Sequence, residues 1–136
     1  MASVVIDASI ACAWCFPDER TDYTNAVFQA LSSSAVETVA PRLWAYEIRN
    51  SMLMGLRRGR LSKPDCEQFL VSLNELDVRL CEPASYDEVL SLAQEFGLTV
   101  YDAYLYLAMQ ERLPLASLDG QLVRAAQKAG VQLFQR

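Results

Sequence analysis

The sequence contains no histidine among its 136 residues. This absence excludes Ser-His-Asp and Cys-His catalysis, metal sites with imidazole ligands, and imidazole general bases. Neither a Walker sequence nor a GxGxxG motif is present, so nothing favours nucleotide binding through a glycine-rich loop. The chemistry has to come from other side chains, and carboxylates are numerous, with 17 Asp and Glu against 12 Lys and Arg.

Glycine and proline are also scarce, with five of each, while hydrophobic residues make up 52% and charged residues 21% of the chain. This composition excludes a disordered, collagen-like or low-complexity chain. The length is that of one ordinary domain, so residues 1–136 are predicted to form a single domain. No uncharged apolar run is long enough to cross a bilayer, and residues 1–7 lack the features of a signal peptide, which predicts a cytoplasmic protein without membrane contact.

The four cysteines favour neither disulfides nor a zinc site. Cys12 and Cys15 stand at helical i, i+3 spacing, whereas Cys66 and Cys81 are isolated in the sequence. An all-cysteine zinc site would need a second close pair. We therefore expect four reduced thiols that pack as small hydrophobic side chains.

Short apolar runs, of which the first is β-branched, alternate with segments of helical periodicity along the whole chain. The predicted strands cover residues 3–6, 37–40, 78–81, 115–118 and 131–134. The predicted helices cover 10–17, 19–31, 41–59, a segment capped by Ser62, 86–96, 101–112 and 120–129. Pro41 fits the first turn of the third helix, and Gly97 ends the fifth. This alternation predicts an α/β fold, a three-layer sandwich with a central parallel sheet flanked by helices.

Four acidic residues stand where a parallel topology brings them to one edge of the sheet. Asp7 directly follows the first predicted strand, and Asp119 directly follows the fourth. Glu47 lies early in the helix after the second strand, and Asp102 lies at the start of a later helix. Because ligands of open parallel sheets collect beyond the carboxyl ends of the strands, we expect these carboxylates to converge. Taken singly, each also fits a cap, a turn or a solvated position, with Thr99 as a cap to which Asp102 returns.

A cluster of four carboxylates needs a positive counter-charge. Two unit charges about 4 Å apart repel by about 1 kcal/mol in water and about 4 kcal/mol at an effective dielectric constant of 20. Mg²⁺ and Mn²⁺ take hard oxygen ligands and need no histidine, so the cluster predicts such a metal and, with it, phosphoryl chemistry. The net charge of −5 argues against nonspecific binding of nucleic acid through charge alone, but not against a nucleic-acid enzyme.

Four segments, taken in their order along the chain, resemble those of a known family. They are VIDAS at 5–9, PRLWAYEIRN at 41–50, GLTVYDAYLYLA at 97–108 and LASLD at 115–119. In a chain of this length, the set resembles the PIN-domain ribonucleases, and specifically the VapC-type toxins of toxin–antitoxin modules. The resemblance covers essentially the whole chain.

The resemblance implies a PIN-like fold and a Mg²⁺- or Mn²⁺-dependent endoribonuclease that hydrolyses RNA phosphodiesters with metal-activated water. The implied site residues are, for metal binding and catalysis, Asp7, Glu47, Asp102 and Asp119, and, in support, Ser9, Asn50 and Ser117. The family often has threonine where Ser117 stands, and the hydroxyl is retained. A homodimer and a cognate antitoxin, whose carboxyl-terminal segment covers the active site, are implied as well.

The basic cluster Arg57, Arg58 and Arg60 has two interpretations. These residues could contact RNA phosphates, or they could stabilise a helix dipole as solvated cations. The apolar faces at 53–54 and 69–73 likewise belong either to the core or to a groove for a partner helix.

Two other functions remain open. The first is another Mg²⁺-dependent phosphoesterase, although a haloacid-dehalogenase-type phosphatase would need a second Asp where Ser9 stands. A receiver domain would need adjacent acids near the first strand and a late lysine after a strand, and the sequence supplies neither. The second function that stays open is an inactive PIN-like binding or scaffold module. Such a module would have no need to keep all four acids, so their presence argues against it.

Overall fold

The backbone forms a parallel sheet surrounded by helices. The structure is a computed structural model that describes residues 2–33 and 35–136. The strands are β1 (Ala2–Ile6), β2 (Val36–Pro41), β3 (Arg79–Cys81) and β4 (Leu115–Ala116). The helices are α1 (Ala8–Cys15), α2 (Asp22–Ser32), α3 (Leu43–Arg57), α4 (Lys63–Asn74), α5 (Tyr86–Phe96), α6 (Ala103–Glu111) and α7 (Gly120–Lys128), with a 3₁₀ turn at Pro17–Glu19.

The strands lie in the order β3-β2-β1-β4, and every pairing is parallel. The register places Val5 of β1 opposite Val39 of β2 and Leu115 of β4. Val4, Val5 and Ile6 are all completely buried. Since successive strand residues point to opposite faces, both faces of β1 are covered. The carboxyl ends of the four strands therefore meet at one edge of a sheet that is buried on both sides.

The helices cover the sheet in two groups. Helix α6 packs across β1, β2 and β4 and contacts α5 and α7, whereas α1 packs against α2 and α3. The predicted three-layer α/β sandwich is thus confirmed. Gly55 lets α3 approach the end of α1, because a Cβ atom there would lie 2.8 Å from Cε1 of Phe16. In the described residues, no helix combines the length and apolarity needed to cross a membrane.

Several local signals in the sequence produce the expected element ends. Ser62 caps α4 through a reciprocal pair of hydrogen bonds, in which Ser62 Oγ accepts from the Asp65 amide at 3.2 Å and Asp65 Oδ2 accepts from the Ser62 amide at 3.1 Å. Helix α5 ends before Gly97, which adopts a left-handed conformation with φ of +65°. The four cysteines are free thiols.

Three expectations about strands are wrong. Strand β4 ends at Ala116 rather than at residue 118, so Asp119 stands three residues beyond it instead of directly after it. Pro41 is the last residue of β2, where it pairs in register with Cys81 of β3, and α3 begins only at Leu43. Proline at a strand end was read as a helix start because both positions tolerate the missing amide hydrogen. The strand predicted at 131–134 is reduced to an isolated parallel bridge between Leu115 and Leu133.

Three helix starts also differ from the predictions. Helix α1 begins at Ala8 rather than at residue 10, directly after Asp7. Helix α2 begins at Asp22 behind the cap Thr21, because the residues just before it form the 3₁₀ turn. Helix α6 begins at Ala103, and its N-cap residue is Asp102 rather than Thr99.

Candidate active site

The four predicted acids lie at or near the amino ends of four helices. Asp7, Asp102 and Asp119 are the N-cap residues of α1, α6 and α7, and Glu47 lies in the second turn of α3. Their exposure differs: Asp7 is only 6% exposed, Glu47 and Asp102 are half-buried, and Asp119 is exposed. Helix N-termini stabilise negative charge, which is why the chain tolerates acids at three of these positions.

Asp7 is held by two serines from different parts of the chain. Ser9 Oγ and Ser117 Oγ both donate to Oδ2 of Asp7, at 2.7 and 2.6 Å. The same hydroxyls accept backbone hydrogen bonds, Ser9 from the Leu118 amide at 2.9 Å and Ser117 from the Asp119 amide at 3.0 Å. Burial raises the pKa of Asp7, although the two serine hydrogen bonds act in the opposite direction. The serines therefore join the ends of β1 and β4 and fix a buried carboxylate between them.

Glu47 is held by a buried tyrosine. The hydroxyl of Tyr104, a residue that is 1% exposed, donates to Oε1 of Glu47 at 2.5 Å. Burial raises the pKa of Glu47 to about 6, and the negative charges of Asp7, Asp102 and Asp119 raise it further against the lowering effect of Tyr104. All three other acids are thus near enough to Glu47 to repel its charge.

Asp102 and Asp119 each combine a structural role with an available oxygen. Oδ1 of Asp119 caps α7 by accepting from the amides of Gln121 at 2.9 Å and Leu122 at 3.3 Å. Oδ2 of Asp102 accepts from the amide and the hydroxyl of Thr99, both at 3.2 Å. Asp119 is therefore a helix cap rather than the simple turn residue that its Gly120 neighbour suggests, and Asp102 returns to Thr99 as expected although Thr99 is not the cap. Each carboxylate uses a single oxygen in these bonds.

The four acids share one pattern. In the hydrogen bonds of residues 2–33 and 35–136, each carboxylate uses a single oxygen: Oδ2 of Asp7, Oε1 of Glu47, Oδ2 of Asp102 and Oδ1 of Asp119. None of the salt bridges of these residues includes any of the four acids. Hard oxygen donors without a positive partner fit a divalent cation.

The side chains of the four acids, as placed, are not close enough together to coordinate one metal ion. Within the described part of the chain, no group of three or more His, Cys, Asp or Glu side chains could hold a metal ion as placed. The acids repel one another electrostatically while each stays tied to its own element. Metal binding by the four acids therefore stays a prediction from the sequence.

The basic cluster lies away from the acids along α3. Arg57 is ten residues beyond Glu47, which corresponds to about 15 Å at 1.5 Å per helical residue. Arg57 and Arg58 are exposed, whereas Arg60 pairs with Asp18 at 2.9 Å and with Glu19 at 3.0 Å. Its guanidinium also lies 4.2 Å from the ring centre of Phe16. Arg60 is thus already engaged by groups of its own chain.

The remaining predicted site residue, Asn50, is exposed on α3 one helical turn after Glu47. Tyr104 was not singled out by the sequence analysis, although it is the direct partner of Glu47. A signal for it exists, because a tyrosine inside a buried helix needs a hydrogen-bond partner for its hydroxyl. The sequence does not say which residue that partner is.

A parallel sheet between two helical layers, with acids following β1 and β4, is the arrangement of a PIN-like fold. No family model matches the sequence. Ribonuclease VapC3 of Pyrobaculum aerophilum (strain IM2) is 36% identical over 126 residues, which cover 88% of this chain and 91% of that protein. The crystal structure of PAE2754 from Pyrobaculum aerophilum superposes with a TM-score of 0.69 at 25% identity, over 91% of this chain and 84% of that one. The chain belongs to the VapC family of PIN-domain ribonucleases.

Proposed function

We propose that the protein is a Mg²⁺- or Mn²⁺-dependent endoribonuclease and the toxin of a toxin–antitoxin module. The observation that carries this proposal is the set of four acids, each with one oxygen outside the hydrogen bonds of the described residues and none in a salt bridge there. The name of its relative, ribonuclease VapC3, supports RNA as the substrate.

In this proposal, Asp7, Glu47, Asp102 and Asp119 hold the divalent ion through their available oxygens. When bound, the ion supplies the positive charge that lowers the pKa of a water and offsets charge on the phosphate. Ser9 and Ser117 keep Asp7 in one orientation, since both donate to the same oxygen. Because the chain has no histidine, removal of the proton from the attacking water would fall either to an acid of this edge that does not hold the ion or to the lowering of the water pKa by the ion itself.

RNA would lie across the same edge and extend towards the end of α3. Arg57 and Arg58 are exposed cations suited to phosphate contacts, whereas Arg60 is engaged by Asp18 and Glu19. Tyr46, next to Glu47, is 78% exposed, and Tyr101, next to Asp102, is 71% exposed. Aromatic rings of this kind offer stacking surfaces for unpaired bases, which supports single-stranded RNA as the substrate.

The proposed partners are a cognate antitoxin and a second copy of the chain. A groove of about 620 Å³ runs between α1, α2 and α4, with Trp14, Phe28, Phe69 and Leu73 among its lining residues. Phe69 and Leu73 line this groove together with polar residues such as Arg20 and Gln68, which supports docking of an amphipathic antitoxin segment there. Leu53, on the face at 53–54, is 41% exposed, which leaves apolar surface on α3 for a protein contact.

The test measures cleavage and metal binding together. Purified protein, stripped of metal by a chelator, is incubated with single-stranded RNA, with and without Mn²⁺, while its melting temperature is recorded. We expect cleavage that requires Mn²⁺ and a melting temperature that rises with Mn²⁺ concentration, because an ion that binds only the folded state stabilises it.

Each alternative gives a different result in the same experiment. An inactive PIN-like scaffold would show neither cleavage nor stabilisation by Mn²⁺. Another Mg²⁺-dependent phosphoesterase would be stabilised by Mn²⁺ and would hydrolyse a small phosphate ester while leaving RNA intact. Co-expression with the product of a neighbouring short reading frame tests the antitoxin: suppression of cleavage is expected, and unchanged cleavage in a stable complex contradicts it.

A further inference from the structure

Tyr104 joins two of the elements that position the acids. It lies near the start of α6, two residues after Asp102, and its hydroxyl donates to Glu47 on α3. Helix α6, which carries Tyr104, also packs against β1, the strand that ends directly before Asp7. At 1% exposure the ring has no surface on which a substrate could rest. Tyr104 therefore acts on other residues rather than on RNA.

Glu47 needs such a partner more than the other acids do. The three aspartates have short side chains fixed by serine, threonine or backbone donors, whereas Glu47 has a longer and more flexible side chain. Its carboxylate is half-buried and is repelled by three negative charges. Without a donor it would gain both hydration and distance from these charges by turning towards solvent.

We propose that Tyr104 is a positioning residue for the metal site, which holds Glu47 by Oε1 so that Oε2 is kept at the acidic edge for the ion. This inference rests on the proposed function, because it assigns a role within the same site. The physical basis is that packing fixes the position of the buried Tyr104 ring. Its hydroxyl can therefore orient the more flexible Glu47 side chain, which is the proposed metal ligand. The loss of such an outer partner typically weakens metal binding by about 10- to 100-fold.

The chain offers a matched control on the same helix. Tyr106, two residues further along α6, is 8% exposed, and its hydroxyl donates to Oε2 of Glu88 at 2.7 Å. Glu88 lies on α5 and is not one of the four acids. Tyr106→Phe therefore removes the same kind of tyrosine–glutamate hydrogen bond without touching the proposed metal site.

The experiment compares Mn²⁺ affinity, measured by isothermal titration calorimetry, in the wild type, Tyr104→Phe and Tyr106→Phe. We expect the dissociation constant to rise about tenfold in Tyr104→Phe and to stay within about twofold of wild type in Tyr106→Phe. Circular dichroism and melting without metal establish that each variant is folded. Tyr104→Phe keeps the buried ring and removes only the hydroxyl, so it is the mildest change available; if it is unfolded at about 25 °C, all variants are compared at a lower temperature at which it is folded.

A double-mutant cycle separates positioning from a general loss of structure. If Tyr104 acts through Glu47, adding Tyr104→Phe to Glu47→Gln leaves the Mn²⁺ affinity of Glu47→Gln unchanged. Equal affinity of Tyr104→Phe and wild type overturns the inference, and so does a tenfold loss that persists in the Glu47→Gln background. A wild type that binds no Mn²⁺ refutes the proposed function and the inference with it, and this result is distinct from the other two.

Discussion

The two ends of α3 differ in whether their charged side chains have partners of opposite charge. Beyond its carboxyl end, Arg60 pairs with Asp18 and Glu19 and covers the ring of Phe16. Near its amino end, Glu47 lies in the field of three other carboxylates, with a neutral phenol as its hydrogen-bond partner. Beyond the carboxyl end, the positive charge is paired with acids of the same chain. Near the amino end, the negative charges have no positive partner among the described residues.

The difference separates charges that need no ligand from charges that a bound cation would stabilise. The Arg60 cluster is an exposed ion-pair network, and pairs of this kind contribute little and act independently of any ligand. The acidic edge lowers the stability of the metal-free protein, because charged carboxylates are crowded and Asp7 is buried. Buried, like-charged groups that persist at this cost are typical of functional sites.

The largest effect should come from exchanging a carboxylate of the acidic edge, with a carboxylate of the Arg60 cluster as the comparison. Asp7→Asn removes a buried acid of the proposed site, and we expect Mn²⁺-dependent RNA cleavage to fall by about a thousandfold or more. Its melting temperature without metal should equal or slightly exceed that of wild type, because the buried charge is gone. Asp18→Asn removes an acid of the Arg60 cluster and should leave cleavage unchanged. Undiminished cleavage by folded Asp7→Asn would refute the assigned role of Asp7.

The next effect concerns the buried hydroxyl that joins Asp7 to Asp119. Ser117→Ala removes the 2.6 Å bond to Asp7 and leaves the Asp119 amide without its side-chain acceptor. Because Ser117 is 1% exposed, water cannot easily replace it, and we expect a loss of about 1–3 kcal/mol in the free energy of unfolding. Urea denaturation measures this loss.

Ser117→Thr provides the control, since it keeps the hydroxyl. We expect Ser117→Thr to retain more of the cleavage activity than Ser117→Ala. Equal stability of Ser117→Ala and wild type would show that the two hydrogen bonds contribute nothing to the fold.

The sequence was sufficient for the features that depend on local chemistry or on chain topology. Ser62 is the N-cap of α4, as its residue type predicts, and Gly97 ends α5 because few other residues adopt a positive φ. The placement of Asp7 and Asp119 at one edge follows from parallel strands alone. The order of strands and helices was therefore predictable without any long-range contact.

Features set by long-range contacts were not predictable from these rules. Tyr104 and Glu47 are 57 residues apart, and Arg60 and Asp18 are 42 apart, so no spacing rule pairs them. Pro41 was placed in a helix because its ring suits a first turn equally well as a strand end. The last predicted strand makes only one bridge, with backbone hydrogen bonds to Leu115, because β4 beside it is only two residues long.

A smaller effect concerns the pH dependence of stability without metal. The folded pKa of Glu47, about 6, lies above its ordinary value of 4.5, so the folded state binds more protons than the unfolded state between these values. The contribution of Glu47 to the free energy of unfolding is therefore fully present below pH 4.5 and is lost as pH rises through about 6. We expect metal-free Glu47→Gln to be more stable than wild type by about 1 kcal/mol at pH 7, after allowing for partial solvent screening. The gap should close below pH 4.5, and a gap independent of pH would contradict this origin.

The smallest effect should distinguish the free arginines from the paired one in RNA binding. Arg57 is exposed at the last turn of α3, whereas Arg60 is held by Asp18 and Glu19. A lost phosphate contact weakens binding a few-fold and lowers the slope of log affinity against log salt by about one. We therefore expect Arg57→Ala to lower this slope and Arg60→Ala to leave it unchanged, measured by fluorescence anisotropy with an Asp7→Asn background to prevent cleavage. A slope that falls for Arg60→Ala and not for Arg57→Ala would mean that RNA breaks the ion pairs of Arg60, and that the two ends of α3 both serve the substrate.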